Sequence, residues 1–269
     1  MRRIKETVRK ALSWRVLVKP VKRFVFLYHD VSEPGEFQHS TTYSTSTASF
    51  REQVEFLARH FKLVPLDDIL SPEFNSEHRR CAAITFDDGF LSVKETAMPY
   101  LSAKGIPFAV FLNRMAIIEN RLFNDSEDEK LEHPGTEKVF LDEDDVRSLS
   151  RSGVTIGSHT ATHRKLVDCD DDALREEIDV NKIYLELLTG LPVLHLALPF
   201  GKREHYSDHV LEHCRQAGHE FIFSTNPTFF DLSSPSFHRR IIPRIPFTEQ
   251  TLAEMTFMIN RPLVKSIDI

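Results

Sequence analysis

Two adjacent carboxylates, Asp87 and Asp88, follow a short apolar run and precede Gly89. Side by side at a strand end they repel each other, unless one binds a cation and the other holds or takes a proton. Gly89 lets the chain turn sharply after them. The plainer reading is a helix N-cap or a turn, where Asp is common. A second apolar run leads into His159 and, four residues on, His163. Two imidazoles at that separation meet one metal ion if a helical turn or a tight loop joins them. With one carboxylate they supply two nitrogens and one oxygen and leave positions open for water. That is the arrangement of a catalytic rather than a structural divalent site.

Spacing alone proves little. Thirteen histidines in 269 residues give about 0.6 such pairs by chance, so the pattern carries a false-positive risk. His205, His209 and His213 repeat the spacing. They share a helical pattern with the polar neighbours Glu204, Asp208 and Glu212, and read as the outer face of a helix. His159 and His163 differ from them by position, since they follow a strand directly, as Asp87 and Asp88 do.

The elements that must place these residues are legible as an alternation of short apolar runs and helical stretches. This predicts the α/β class, built from βα units with a largely parallel sheet. Strands are expected at Phe24–Tyr28, Cys81–Phe86, Pro107–Leu112, Val154–Ser158, Val193–Leu198, Phe221–Ser224 and Arg240–Arg244. Helices are expected at Ser49–His60, Ser92–Ala103, Glu143–Ser152, Asp171–Leu188, Ser207–Ala217 and Thr248–Met258. Acids at 170–172 mark a helix start, and Gly153, Gly190 and Gly218 mark helix ends. In a parallel βα barrel the reactive groups gather at the C-terminal ends of the strands. His29, Asp87, Asp88, His159, the Pro199-Phe200-Gly201 turn and Arg244 all stand at such ends, so they converge on one rim. The polar segment 113–138, with acids at 125 and 127–129, reads as a solvated loop or as a lid over substrate.

The bulk numbers narrow the function classes. A hydrophobic share of 41% with 28% charged residues is ordinary for a soluble globular chain, and 269 residues suit one large barrel or two small domains. A net charge of −6 speaks against a general nucleic-acid binder. Cys81, Cys169 and Cys214 have neither zinc-knuckle nor redox-pair spacing, which argues against a disulfide framework and for a reducing compartment. No apolar stretch approaches the ~20 residues needed to span a bilayer. Residues 1–20 form a basic extension ahead of a single domain over 21–269. Ile4, Val8, Ala11 and Leu12 share one helical face there, and Arg15 interrupts any secretory signal. That helix either packs on the barrel or lies on an anionic membrane surface. The expectation is a cytoplasmic protein with a peripheral membrane contact as one option.

Together these residues resemble the polysaccharide deacetylase family of carbohydrate esterases, over about Phe24 to Phe247. Ile84-Thr85-Phe86-Asp87-Asp88-Gly89 is similar to its first motif and Gly157-Ser158-His159-Thr160-Ala161-Thr162-His163 to its second. Leu196-Ala197-Leu198-Pro199-Phe200-Gly201 is similar to a variant of its third. The resemblance implies a distorted, incomplete barrel of about seven βα units. It implies Asp87 as general base and Asp88, His159 and His163 as ligands of one divalent ion, zinc being the usual one. The Phe200 N–H becomes an oxyanion donor.

The chain also departs from the common pattern. Ala197 stands where many members carry an Arg, the only Trp is Trp14, and His238 lies outside the usual context of the acid histidine. A subset that includes exopolysaccharide deacetylases places the acid histidine on the first strand, as in Leu27-Tyr28-His29-Asp30. The same subset carries an Arg after a Pro on the last strand, as in Pro243-Arg244-Ile245-Pro246. By that resemblance His29 is the general acid and Arg244 pairs with Asp87. The expected activity is removal of the N-acetyl group of an amino sugar in a glycan or a lipid-linked precursor. The alternatives are an O-acetyl carbohydrate esterase and a catalytically weak sugar-binding barrel.

Overall fold

The computed structural model describes residues 21–33, 43–74, 76–78, 80–121 and 138–265. The basic extension over residues 1–20 and the acidic part of segment 113–138 lie outside the described residues. No helix among those described is long and apolar enough to cross a membrane.

Among the described residues eleven strands run β1 (Lys22–Tyr28), β2 (Asp30–Val31), β3 (Ser44–Thr45), β4 (Lys62–Leu63), β5 (Arg80–Phe86), β6 (Phe108–Leu112), β7 (Thr155–Ser158), β8 (His195–Ala197), β9 (Phe221–Ser224), β10 (Ile241–Pro243) and β11 (Ile245–Pro246). Eight of them form one all-parallel line in the order β10-β9-β8-β7-β6-β5-β1-β11, with β4 added on β5. Helices lie between consecutive strands at Thr47–His60, residues 93–103, Glu143–Arg151, residues 171–189 and Asp208–Gln216, and Leu252–Lys265 follows the last strand. The seven expected strands are all present, most shifted by a residue or two at their ends. The C-terminal helix starts at Leu252 rather than at 248, because Thr251 caps it: its Oγ1 accepts from the Glu254 N–H at 3.3 Å.

The two ends of the line belong to one continuous piece of chain. Ile242 and Pro243 pair with Phe223 and Ser224 of β9, whereas Ile245 and Pro246 pair with Phe26 and Leu27 of β1. The strand changes partner at Arg244. The result is a barrel nearly closed, with one unsealed seam. Pro243 and Pro246 suit this place, since proline lacks an N–H for a ladder and is tolerated at sheet edges.

Alternation along the strands sorts the core. Val25, Cys81, Ala83, Ala109, Phe111, Ala197, Phe221, Phe223 and Ile242 pack with one another inside the barrel. Their neighbours Phe24, Phe26, Ala82, Ile84, Phe86, Val110 and Leu112 face outward against the helices. The strands are buried on both faces, so they read as continuous apolar runs rather than alternating ones. Each fully buried Phe or Leu removed from water contributes about 1.5–3 kcal/mol. Gly157 has no side chain because Phe111 fills the space: a Cβ there would stand 2.4 Å from its ring. Beneath the strands, helix Leu66–Leu70 plugs the N-terminal mouth. Asp67 accepts from Thr155 Oγ1 at 3.0 Å and binds His195 Nε2 at 2.7 Å.

The inward parity of the strands continues one residue past their C-terminal ends. Counting by twos from Val25, Ala83 and Phe111 reaches His29, Asp87 and Asn113. The same count from Gly157 reaches His159, and from Ile242 it reaches Arg244. The fold therefore aims these side chains into one mouth of the barrel.

Candidate metal and active site

Asp87 is buried and held by Arg244. The guanidinium donates from Nη1 to Asp87 Oδ1 at 2.7 Å and from Nη2 to Oδ2 at 2.6 Å. This is the planar, two-pronged geometry that Arg alone offers a carboxylate. The Arg244 head lies over the rings of Phe111 and Phe223, 5.3 and 5.9 Å from their centroids. Burial pushes the Asp87 carboxyl up, but the nearby charge of Arg244 and the hydrogen bonds from it outweigh burial and hold the group down at about 2.

Asp88, His159 and His163 each offer one ligand atom, and these atoms lie within 4.8 Å of one another. Asp88 Oδ1 is 3.4 Å from His159 Nε2 and 3.6 Å from His163 Nε2. Two donors that each sit about 2.1 Å from one tetrahedral ion stand about 3.4 Å apart, so the set fits a single divalent ion. His159 Nδ1 lies 2.8 Å from the carbonyl oxygen of Ala197. A carbonyl only accepts, so Nδ1 carries the proton and the Nε2 lone pair points at the site. Burial lowers the pKa of both imidazoles, that of His163 strongly. They are neutral at physiological pH, as metal ligands must be. The His163 side chain is 16% exposed against 2% for His159, so the site opens on the His163 side. Asp87 Oδ2 stands 3.6 Å from His159 Nε2, which places a carboxylate beside the ligand set without joining it.

The backbone around these residues is unusual. Asp88, Thr160, His163 and Phe200 have φ of 69°, 70°, 67° and 59°, and among the described residues only two other non-glycines are positive. Such conformations cost about 1–3 kcal/mol each and persist where surrounding contacts over-determine them. Gly89 continues the left-handed turn at φ 79°, where a Cβ would stand 2.7 Å from Leu112 Cδ2.

His29 reaches the same mouth. It interacts electrostatically with Asp87, His159 and Arg244, and burial holds its imidazole down at about 4. Among the described residues its Nδ1 has no hydrogen-bond partner. The next residue, Asp30, anchors it by accepting from Ser44 Oγ and Ser92 Oγ, both at 2.6 Å. Phe200 flanks His163, with ring centroids 4.9 Å apart, and Lys165 Nζ lies 5.5 Å from the Phe200 ring centroid.

The structure thus gathers all seven residues that the sequence singled out: Asp87, Asp88, His159, His163, His29, Arg244 and Phe200. His209 and His213 lie away from them, paired with Asp171 and Asp179 across two helices. His205 corrects the helical reading. It precedes the cap residue Ser207 and meets the Phe200 ring edge-on instead, with centroids 5.3 Å apart. Asn113, Glu177 and Asn181 went unnoticed in the sequence. Asn113 donates to the carbonyls of His159 and Thr160, the latter at 3.2 Å. Asn181 donates to the Leu112 carbonyl at 3.0 Å and to Ser158 Oγ at 2.8 Å. The strand-end position of Asn113 could have signalled it, as it did for Asp87.

Comparison with known proteins agrees with this architecture. The sequence model of the polysaccharide deacetylase family matches residues 75–222. The Bacillus subtilis protein YxkH is 20% identical over 218 residues, covering 80% of this chain and 68% of its own. The deacetylase PplD of Streptococcus pyogenes, solved in complex with acetate, superposes with a TM-score of 0.68 at 16% identity, covering 92% of this chain and 98% of that one. A de-N-acetylase from Aggregatibacter actinomycetemcomitans reaches 0.72 at 17% identity, over 88% of this chain and all of the other. Identities this low show a shared fold, while the family match spans more than half of the chain, and on that ground the chain belongs to the polysaccharide deacetylase family.

Proposed function

We propose that the protein hydrolyses the N-acetyl group of an amino sugar in a glycan or lipid-linked glycan precursor, using one divalent ion and releasing acetate. One observation carries the reading: two neutral imidazoles and a carboxylate converge as a three-donor set, and a second carboxylate stands beside them without joining it. When bound, a divalent ion, zinc by family resemblance, supplies Lewis acidity that lowers the pKa of water and polarises the acetyl carbonyl. Asp88, His159 and His163 hold it. Asp87 is ionised across the physiological range and accepts the proton of the attacking water. Arg244 fixes the orientation of that carboxylate through both oxygens. The Phe200 N–H donates to the oxygen that becomes negative.

His29 donates the proton that the departing amine needs. At about 4 its imidazole is neutral in the resting protein. Negative charge building beside it raises its proton affinity, so the imidazole first takes up a proton, from solvent or by way of the one Asp87 has accepted, and then gives it to the nitrogen as the C–N bond breaks. An amine is a poor leaving group without that proton, whereas an aryl alcohol departs unaided. His29→Ala is therefore expected to slow amide deacetylation by about 10²–10⁴-fold and p-nitrophenyl acetate hydrolysis far less. Equal losses on both substrates would remove His29 from the acid role.

The overall test is acetate release from N-acetylglucosamine oligomers, before and after stripping with a chelator. Activity should vanish on chelation and return with one equivalent of a divalent ion. Turnover that survives exhaustive chelation would refute the metal centre. Acetate release without a new free amine would redirect the substrate to an O-acetyl ester. Tight glycan binding without turnover under any divalent ion would leave a binding protein.

A further inference from the structure

The loop that carries His159 and His163 is held from outside by a residue with no place in the reaction. Helix 171–189 is not regular: residues Arg175–Val180 form a π-type turn between two α-helical parts. Such turns widen the helix by one residue and are frequent at functional sites. The Asn181 N–H goes to the Ile178 carbonyl, so the Glu177 carbonyl is not committed to it and accepts from the Ala161 N–H at 2.9 Å. Glu177 is 3% exposed. One carboxylate oxygen accepts from the Thr162 N–H at 2.9 Å and the other from the Thr162 hydroxyl. Glu177 therefore grips Ala161 and Thr162, the residues immediately before His163.

Those residues sit between two left-handed positions, Thr160 and His163. Left alone, a loop with two such positions relaxes to ordinary φ, and the two Nε2 atoms no longer converge on Asp88. The remaining ties do not replace the grip. Asn113 holds the carbonyls of His159 and Thr160, the Ala161 carbonyl accepts from Met115 N–H at 2.9 Å, and the His163 N–H donates to Thr160 Oγ1 at 3.1 Å, a bond internal to the loop. The Thr162 N–H and hydroxyl both go to Glu177. Its buried carboxylate also adds negative charge behind the ligand set, which favours a cation there.

We propose that Glu177 is a positioning residue for the metal centre: through Thr162 it holds the 159–163 loop in the strained shape that directs both imidazoles at one ion. The inference rests on the metal-binding reading above but on no particular substrate. Outer contacts of this kind set metal affinity by about 10–100-fold when removed.

The test is cobalt and zinc affinity of the purified full chain, measured by competition with a chromophoric chelator and by the cobalt absorption bands. Glu177→Ala should bind 10–100-fold more weakly, with weaker or shifted cobalt bands. Glu177→Gln keeps an acceptor for the Thr162 N–H and an amide that can donate to the hydroxyl, so it should recover most of the affinity. Should Glu177→Ala fail to fold, Thr162→Val, which deletes only the hydroxyl contact, should show a smaller loss of the same kind. A purely structural role would lower the melting temperature of the metal-free protein and leave affinity within threefold of wild type. That result in Glu177→Ala, or in Thr162→Val where Glu177→Ala does not fold, overturns the proposal while the deacetylase reading stands. Absence of divalent-ion binding by the wild-type chain overturns both.

Discussion

Asp87→Asn is expected to lower kcat/KM for deacetylation by about 10³-fold, within the range for loss of a general base, while the divalent ion is retained. The substitution is isosteric, and the ligand set of Asp88, His159 and His163 does not include Asp87. The amide cannot take the proton of water, so the effect falls on the chemical step. A second consequence is structural. Asp87 is the anionic partner of a fully buried Arg244, and Asn offers that guanidinium one acceptor oxygen and no charge. Leaving one partner of a buried pair uncompensated costs about 3–5 kcal/mol, and the surviving hydrogen bond keeps the loss at the lower end. Activity must therefore be compared per folded, metal-loaded molecule, with metal content measured on the same sample. Activity within tenfold of wild type in such a sample would exclude Asp87 as the base, and loss of metal together with activity would place it among the ligands.

Much of this site was legible because the chemistry sits where strands end. The barrel strands are buried on both faces, so each appears as a short, mainly apolar run, and in three of them an acid or a histidine marks the C-terminal end. His29, Asp87 and His159 are such residues, and inward parity delivers them to one mouth. Arg244 stands near the end of the last strand in the same way, and its pairing with Asp87 was implied by the resemblance, through the Arg that follows a Pro there. The structure shows that pair as a two-pronged contact across a separation of 157 residues.

What stayed hidden depends on geometry that no pattern encodes. The seam at Arg244 arises because one strand divides its pairing between β9 and β1, and a sequence run does not state its partners. Glu177 looks like any acid on a solvated helix. Only a π-type turn, for which its sequence carries no signature, rotates it onto the Thr162 N–H and hydroxyl. His205 misled for a related reason. Histidines at 205, 209 and 213 match a helical period, but Ser207 caps the helix after the first of them. Side-chain capping overrides periodicity at helix ends, where patterns are least informative.

Arg244→Met should produce the largest combined effect on stability and pH dependence. In the wild type the Asp87 carboxyl lies at about 2, below its ordinary 3.8. The pair thus adds stability that is complete above about pH 4 and is lost as pH falls toward 2. Removing the guanidinium deletes the main influence that lowers this pKa, and burial, which acts in the opposite direction, then dominates. The Asp87 carboxyl should rise above its ordinary value, and the sign of the linkage reverses. The metal-free variant should lose about 3–5 kcal/mol at neutral pH and regain part of it as pH falls and the carboxyl is protonated. Its activity should be low, with the acid limb of the pH–rate profile displaced upward. Arg244→Lys keeps a charge but not the two-pronged contact, and should fall between Met and wild type in both measures. The double variant Asp87→Leu/Arg244→Met removes both charges, so its stability should exceed that of Arg244→Met, with no recovery of activity. Equilibrium unfolding across pH 3–8 decides the matter. If Arg244→Met is destabilised equally at every pH, the guanidinium only fills space over Phe111 and Phe223, and control of the Asp87 proton lies elsewhere.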